Sequence, residues 1–395
     1  MRTIHPFPAR MAPDTVAGWL QGLERGSIVL DPMCGSGVVV RQSAMLGHEA
    51  LGFDLDPLAV LMSRVWTRKA VDPRIRDIAR TVVGRAERKR RGYLDLPWIA
   101  ACTETQSFIE YWFAEPQRSE LARLVLAICE ETEQLPEGTR DLLLLAMSRI
   151  IVTKHAGASL AWDVSHSRPH KMRETNDFEV YAGFLRSVDR LVQLLEAEPL
   201  VRSGKVRSGD CRRLQKVKDG AIDAVITSPP YLNAIDYLRG HKLSLVWMGR
   251  SIPELRALRA GAVGTERAKG ALGQPTFGLE QLAQAVKDVH TLPQRQRTIV
   301  HKYAVDADDV LLELSRVLKP DGLMVLVLGD SNLRGQLVRN SKIFSWLAKR
   351  HGLRLVKEDK RPLAENRRYL PIQSGSAELS KRMKYEVVQA YRKVA

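Results

Sequence analysis

The heptapeptide TSPPYLN at 227–233 carries the groups best suited to hold a planar amine. It follows AIDAVI, an apolar run typical of a buried parallel strand, and its two prolines end regular structure because they donate no backbone hydrogen bonds. The Ser228 hydroxyl and the Pro229 carbonyl can accept hydrogen bonds from an amino group, and Tyr231 can stack on the ring that bears it. The pattern predicts a stiff turn at the carboxyl end of a strand, where open α/β sheets bind ligands. The alternative is an ordinary proline-rich loop with a tyrosine packed over it.

The turn DPMCGSG at 31–37 is a second candidate site, between the predicted first strand GSIVLDP and a helix. Glycines allow a ligand to approach the backbone closely, and the N–H groups at a helix start can bind it. The spacing differs from G-x-G-x-x-G, so a small zwitterionic ligand fits better than a dinucleotide pyrophosphate. A turn that needs glycines only for its own shape is the alternative.

Two further acids end predicted strands. Asp54 ends the second strand, in GFDLDP, where an acid can accept hydrogen bonds from both hydroxyls of a ribose. Asp56 competes for this role, although its ordinary use is to cap the following helix. Asp210 ends the third strand, in RSGD, and can accept from the exocyclic amine of adenine or be only a solvated strand-end acid.

The elements that position these residues alternate between short apolar strands and helices. This alternation predicts an α/β fold, a doubly wound, Rossmann-like sheet of seven strands. Helical patterns interrupt it twice, before the third strand and after TSPPYLN. We therefore predict a catalytic domain made of 1–70, 201–233 and 303–395, with helical insertions at 71–200 and 234–302.

Composition narrows the class of protein. A formal net charge of +16 favours a polyanionic partner such as nucleic acid, and a generic basic surface is the alternative. No apolar run approaches the ~20 residues that span a bilayer, and the amino terminus has no apolar signal segment, so we expect a cytoplasmic protein without membrane contact. The four cysteines lack C-x-x-C spacing, which argues against a disulfide framework and a structural zinc site. His155, His166 and His170 show no familiar ligand spacing, and no metal site is predicted.

Taken together, DPMCGSG, GFDLDP, SGD and TSPPY, in that order, resemble the S-adenosylmethionine-dependent amino-methyltransferases of DNA. The S-P-P-Y form is similar to the cytosine-N4 enzymes, whereas adenine-N6 enzymes more often carry Asp or Asn first. HPFPARM at 5–11 resembles the extra cofactor motif of this family, and NRRYLPIQ with KRMKYEVVQAYRK is similar to its closing part. The resemblance covers the sheet and both ends, about half of the chain. The motif order differs from that of many cytosine-N4 enzymes, in which S-P-P-Y comes first.

The resemblance implies a site for S-adenosylmethionine in which the glycine turn lines the methionine half, Asp54 holds the ribose and Asp210 the adenine. The implied cofactor-binding residues are His5, Pro6, Asp31, Pro32, Cys34, Gly35, Gly37, Asp54 and Asp210. The implied catalytic residues are Ser228, Pro229, Pro230 and Tyr231, with the serine and the first proline carbonyl on the amine. Attack on the methyl group would be direct, without a covalent intermediate or a metal, on a base flipped out of its helix. A buried structural thiol is the alternative for Cys34.

Recognition of DNA is expected to fall to the insertions, because no recognition domain follows the last strand. Basic side chains of the 234–302 insertion can contact phosphates or guanines, and a solvated basic face is the alternative. The candidates are the polar residue Asn233, just before this insertion, and the basic residues Arg256, Arg259, Arg267, Lys269, Arg295 and Arg297 within it.

We therefore expect a site-specific methyltransferase of double-stranded DNA acting on cytosine N4, with a cognate restriction endonuclease as a partner that the resemblance leaves open. One alternative is adenine N6. Another is guanosine N2 of tRNA, since those enzymes have a similar sheet and Pro-Pro-Tyr loop. A non-catalytic nucleic-acid-binding subunit is the third.

Overall fold

The computed structural model describes residues 3–6, 11, 13–90, 92–153, 156–162, 169–232, 237–265, 277–286, 289–333, 336–363 and 385–394. Its strands are β1 (Ile28–Asp31), β2 (Glu49–Asp54), β3 (Ala161–Trp162), β4 (His170–Lys171), β5 (Lys205–Ser208), β6 (Ile222–Thr227), β7 (Leu318–Gly329), β8 (Ser331–Leu333), β9 (Gln336–Val338), β10 (Leu353–Pro362) and β11 (Tyr385–Lys393). Its helices are α1 (Pro13–Gln21), α2 (Val38–Met45), α3 (Pro57–Trp66), α4 (Ile75–Arg88), α5 (Pro97–Ala100), α6 (Thr103–Trp112), α7 (Glu115–Glu131), α8 (Glu137–Ile151), α9 (Val180–Glu196), α10 (Leu238–Leu245), α11 (Ile252–Gly261), α12 (Leu279–Ala285), α13 (Gln294–Val317) and α14 (Asn340–Arg350), and one 3₁₀ turn covers Tyr93–Asp95.

Seven of the described strands form one sheet in the order β5-β2-β1-β6-β7-β11-β10. The five strands from β5 to β7 are parallel, whereas β11 runs antiparallel to both of its neighbours. The strand order reverses between β1 and β6, which makes the carboxyl ends of these two strands the point where a doubly wound sheet binds ligands. The predicted Rossmann-like sheet with seven strands is confirmed.

Both faces of the central strands are buried because helices cover each side. Val29, Ala224 and Val325 belong to the apolar cluster that includes α1, and the alternate residues Leu30 and Val225 belong to the cluster with α13 and α14. Such two-sided burial explains why these strands are continuous apolar runs.

One strand departs from the sequence expectation. The Pro-Asp-Gly sequence at 320–322 is typical of a turn before a strand, but β7 already begins at Leu318. Asp321 has a positive φ of 57°, and the pairing with β6 shifts register between Ile222 and Ala224. The segment is therefore a bulged start of the strand.

The 71–200 segment is mainly helical, as expected, and packs against α3. Its exception is the two-residue pair of strands β3 and β4. Helices α10 and α11 share this apolar cluster, whereas α12 and α13 pack in the cluster on the sheet. The predicted boundary at 302–303 falls inside the continuous helix α13, and the domain division stays a prediction.

Within the described ranges, no helix is long and apolar enough to cross a membrane. In the same part of the chain, no three His, Cys, Asp or Glu side chains are grouped so that they could hold a metal ion. Of the three histidines considered for such a site, His155 and His166 lie outside the described residues. The four cysteines are free, and two of them, Cys34 and Cys211, are buried.

Candidate active site at the carboxyl edge of the sheet

The two predicted motif loops meet where the strand order reverses. The glycine turn leaves β1 after Asp31, and the S-P-P-Y loop leaves the neighbouring strand β6 after Thr227. The Thr227 hydroxyl donates to Asp31 Oδ1 over 2.7 Å, and both side chains are buried. This hydrogen bond fixes the two loops side by side.

Ser228, the first residue of the S-P-P-Y loop, is half-buried. Its Oγ donates to the carbonyl of Val327, on β7, over 3.0 Å. A hydroxyl has one proton and two lone pairs, so this bond leaves the oxygen able to accept from elsewhere. Tyr231, half-buried, has its hydroxyl 3.3 Å from the same oxygen. The contact between Ser228 and the target amine stays a prediction. The Ser228 hydroxyl keeps the lone pairs that such a contact needs.

The loop after Ser228 is held by hydrogen bonds to its backbone. Tyr303 of α13 donates its hydroxyl proton to the carbonyl of Pro230 over 2.9 Å, and Ser331 donates to the carbonyl of Leu232 over 2.5 Å. Pro229 is buried and Pro230 is exposed. Prolines that donate no hydrogen bonds and carbonyls that are already engaged make the turn stiff, as its sequence suggests.

The glycine turn has the backbone conformation that the sequence predicts. Gly35 and Gly37 have positive φ values of 51° and 88°. A Cβ on Gly37 would lie 2.3 Å from Ser63 Oγ, so this glycine also allows α2 to approach α3. At Gly35 a Cβ would meet no atom within 4 Å, and only the backbone conformation favours glycine there.

Asp54 ties the glycine turn to the end of β2. Its two carboxylate oxygens accept from the backbone N–H groups of Gly35, at 2.8 Å, and Asp56, at 2.9 Å. Burial, with a smaller contribution from the charge of Asp56, raises the pKa of Asp54 to about 6. Asp56 has the structural role, because it caps α3 by accepting from Leu58 N and lies 2.5 Å from His241 Nδ1.

Asp31 is the buried acid at the start of the glycine turn. It is 3% exposed, and burial raises its pKa to about 7, even though hydrogen bonds from Thr227 and Met33 oppose the shift. The charge of Asp54 also raises this pKa, so the two acids repel each other. A ligand that brings a positive charge or hydroxyl donors would relieve both penalties. Cys34, between them, is a buried thiol whose pKa burial raises well above its usual value.

Asp210 is not a free carboxylate. Arg212 donates to it from Nε at 3.0 Å and from Nη2 at 2.7 Å, and its Nη1 donates to Asp306 of α13 at 2.9 Å. Burial raises the pKa of Asp210, but the hydrogen bonds and charge of Arg212 outweigh it and leave the pKa below its usual value. Binding of adenine by Asp210 stays a prediction. Arg212, paired with both Asp210 and Asp306, would hold the Asp210 carboxylate in place.

The amino-terminal motif is described only in part. His5 is 1% exposed, and its Nε2 lies 3.0 Å from Ser148 Oγ on α8. Burial and the charges of Arg149 and His241 lower its pKa. Pro6 is half-buried and Pro32 is buried beside the glycine turn. Residues 7–10 of HPFPARM, like residues 364–384 of the closing similarity, lie outside the described residues.

The candidate DNA-binding residues that the structure describes lie on two helices. Arg256 and Arg259 are on α11, and Arg256 is exposed and ion-paired with Glu104 of α6. Arg295, exposed, and Arg297, half-buried, lie at the start of α13. Asn233, Arg267 and Lys269 lie outside the described residues.

Sequence reasoning did not single out Thr227, Arg212, Tyr303 or Glu386. Glu386, on β11, has Oε1 3.5 Å from the Tyr231 hydroxyl, and its Oε2 accepts from Arg361 at 2.5 Å. Thr227 ends an apolar strand, and Glu386 lies next to the buried centre of β11. Such positions indicate a functional residue only weakly, because the sequence does not show which partner each polar group has.

Comparisons with known proteins find distant sequence relatives. No protein-family model matches the chain. The chain is similar to the Type II methyltransferase M.BsoBI of Geobacillus stearothermophilus, at 24% identity over 330 residues, which are 75% of this chain and 60% of that protein. It is also similar to the Type II methyltransferase M.MvaI of Kocuria varians, at 21% identity over 372 residues, 88% of this chain and 81% of that protein. The chain thus spans less than two thirds of the length of M.BsoBI.

Solved structures of methyltransferases match at lower similarity. A TehB-like SAM-dependent methyltransferase from Corynebacterium glutamicum has a TM-score of 0.31 and 10% identity, covering 97% of this chain and 89% of that one. A geranyl diphosphate methyltransferase has a TM-score of 0.36 and 9% identity, covering 97% and 76%. Both sequence relatives are described as Type II methyltransferases.

Proposed function

We propose that the chain is a DNA methyltransferase that transfers the methyl group of S-adenosylmethionine to the exocyclic N4 amine of cytosine. The observation that carries the proposal is the 2.7 Å hydrogen bond between Thr227 and Asp31. It joins a glycine turn suited to a zwitterionic ligand to a loop suited to a planar amine. The similarity to Type II methyltransferases supports DNA as the substrate.

The residues of the glycine turn fit this cofactor chemically. Asp31 is buried and Asp54 is half-buried, and desolvation raises their pKa values to about 7 and about 6. Asp31 would hold the ammonium of the methionine part and Asp54 the ribose hydroxyls, both of which favour ionised carboxylates. When bound, the cofactor supplies a methyl group activated by a positively charged sulfur.

The S-P-P-Y loop would prepare the amine. The N4 amine of cytosine is a poor nucleophile because its lone pair is delocalised into the ring. Ser228 Oγ donates its own proton to the Val327 carbonyl. Its oxygen and the Pro229 carbonyl would therefore accept the two amine hydrogens. These acceptors favour a pyramidal nitrogen and stabilise the positive charge that develops during attack. Tyr231 would stack on the flipped base.

The proposal favours cytosine because Ser228 stands where adenine-N6 enzymes more often carry Asp or Asn. The net charge of +16 supports a nucleic-acid substrate. We further propose that the helical insertions at 71–200 and 234–302 clamp the duplex, since Arg256, Arg259, Arg295 and Arg297 lie on helices of the second. A cognate restriction endonuclease is a further proposed partner.

Methyl transfer from labelled cofactor tests the proposal. Wild-type protein is expected to label double-stranded DNA, and Ser228→Ala is expected to lower the rate about 10²- to 10³-fold, as for loss of one transition-state donor or acceptor. Ser203→Ala, which removes an exposed hydroxyl that accepts from the backbone N–H of Lys69, is the matched control. Label found only in RNA, or a Ser228→Ala variant as fast as wild type, would contradict the proposal.

A further inference from the structure

Glu386 of β11 lies behind the S-P-P-Y loop and is fixed from both sides. It pairs across the sheet with Gly329 of β7, and its side chain is 15% exposed. Arg361 Nη2 donates to its Oε2 at 2.5 Å, and Nη1 of the same guanidinium donates to Thr15 Oγ1 at 2.6 Å. This anchoring leaves Oε1 directed at the Tyr231 hydroxyl, 3.5 Å away.

The Tyr231 hydroxyl has one proton, and the described part of the chain places two acceptors within reach of it. Ser228 Oγ is 3.3 Å away and Glu386 Oε1 is 3.5 Å away. An ionised carboxylate is a stronger acceptor than a neutral hydroxyl, so the proton favours Glu386. Burial and the charge of Glu386 raise the pKa of Tyr231 above its usual value, which keeps the tyrosine protonated and able to donate.

The choice between these acceptors affects the predicted chemistry. Ser228 already gives its only proton to the Val327 carbonyl, so its lone pairs are what remain for a target amine. A Tyr231 hydroxyl that donated to Ser228 would occupy one of them. A Tyr231 hydroxyl that donates to Glu386 leaves both lone pairs of Ser228 open. This hydrogen bond also fixes the direction of the tyrosine ring.

We propose that Glu386 is a positioning residue: it takes the Tyr231 hydroxyl proton, which keeps the Ser228 oxygen open to the target amine and holds the ring as a platform for the base. This inference rests on the proposed function. It assigns a role in the site to a strand that lies 155 residues from Tyr231 in sequence.

The proposal predicts a specific pattern of rates. Glu386→Ala is expected to lower kcat about ten- to a hundredfold, the range for losing a hydrogen bond to a charged group, without changing KM for the cofactor. Glu386→Gln keeps an acceptor oxygen and should recover part of this loss. In a Tyr231→Phe background there is no hydroxyl proton to direct, so adding Glu386→Ala should cost less than threefold, a difference of about 0.6 kcal/mol.

Single-turnover transfer to DNA by wild type, the two single variants and the double variant measures this coupling. Glu358→Gln is the control, because it removes a carboxylate of the same sheet that accepts from Gln389 at 2.7 Å. Independent effects that multiply in the double variant, or a Glu386→Ala variant with wild-type kcat, would overturn the inference.

A second readout does not depend on activity. In protein labelled at the ring Cζ of its nine tyrosines, Tyr231→Phe identifies the Tyr231 resonance. Glu386→Ala should shift that resonance and Glu358→Gln should not. An unshifted resonance would refute the Glu386 contact, whereas wild-type protein that transfers no methyl group would refute the proposed function.

Discussion

Replacing Thr227 with valine removes the hydrogen bond that joins the two loops while keeping the shape of the side chain. The bond spans 2.7 Å between buried groups, and it stabilises the ionised form of Asp31 against burial. Without it, the pKa of Asp31 should rise further. Because a bound ammonium requires the ionised carboxylate, the cofactor should bind less tightly wherever Asp31 becomes protonated.

The size of the effect follows from the pKa. A hydrogen bond to a charged group contributes about 2 kcal/mol, which at about 1.36 kcal/mol per unit raises the pKa of Asp31 by roughly 1.5. Starting from about 7 in the wild type, the ionised fraction at pH 7 falls from about one half to about 3%. Affinity should therefore fall about 16-fold at pH 7 but only about 1.3-fold at pH 9, where both proteins are mostly ionised.

Calorimetric titration with S-adenosylhomocysteine at the two pH values measures this difference, since the ligand keeps the ammonium and the ribose. Thr227→Ser retains the hydroxyl and should behave like wild type. In wild type itself, affinity should rise with pH through about 7, the pKa of Asp31. Equal weakening of Thr227→Val at both pH values, or none at pH 7, would refute the reasoning.

Two further pairs of variants test the backbone of the glycine turn and the basic surface. Gly37→Ala should lower the free energy of unfolding by more than Gly35→Ala. Both substitutions strain the backbone by about 1–2 kcal/mol, but only the Cβ added at Gly37 would lie 2.3 Å from Ser63 Oγ. Denaturant titration measures both free energies, and equal losses would contradict the close approach of α2 to α3. Arg295→Glu should reduce the salt dependence of DNA binding by about 0.9 or more in log K per log salt, whereas Arg25→Glu, an exposed control before β1, should leave it unchanged.

The sheet could be predicted from the sequence because each of its strands carries a local signal. Apolar runs that end in Asp31, Asp54 and Thr227 are too short for helices, and the residues that follow them stop regular structure. Strands β3 and β4 carry no such signal, since two residues show no periodicity. The Pro-Asp-Gly segment gives a turn signal that pairing with β6 overrides.

The site could be predicted only up to its motifs. Each motif residue lies where its strand ends, and topology then brings the ends together. The partners could not be predicted, because Thr227 finds Asp31 across 196 residues and Arg212 finds Asp306 across 94. Local pattern shows that a buried polar group needs a partner, but the packing of the whole chain decides which one. The same holds for α10 and α11, whose apolar faces join the core of the other insertion.

The most direct test of the proposed function is the identity of the methylated nucleoside. Double-stranded DNA incubated with the wild-type protein and S-adenosylmethionine is digested to nucleosides and analysed by mass spectrometry. The Ser228 hydroxyl predicts N4-methylcytosine, formed about 10²- to 10³-fold more slowly by the Ser228→Ala variant. N6-methyladenine in place of N4-methylcytosine would contradict the assignment of the base, and DNA without any methylated nucleoside would contradict the proposed function itself.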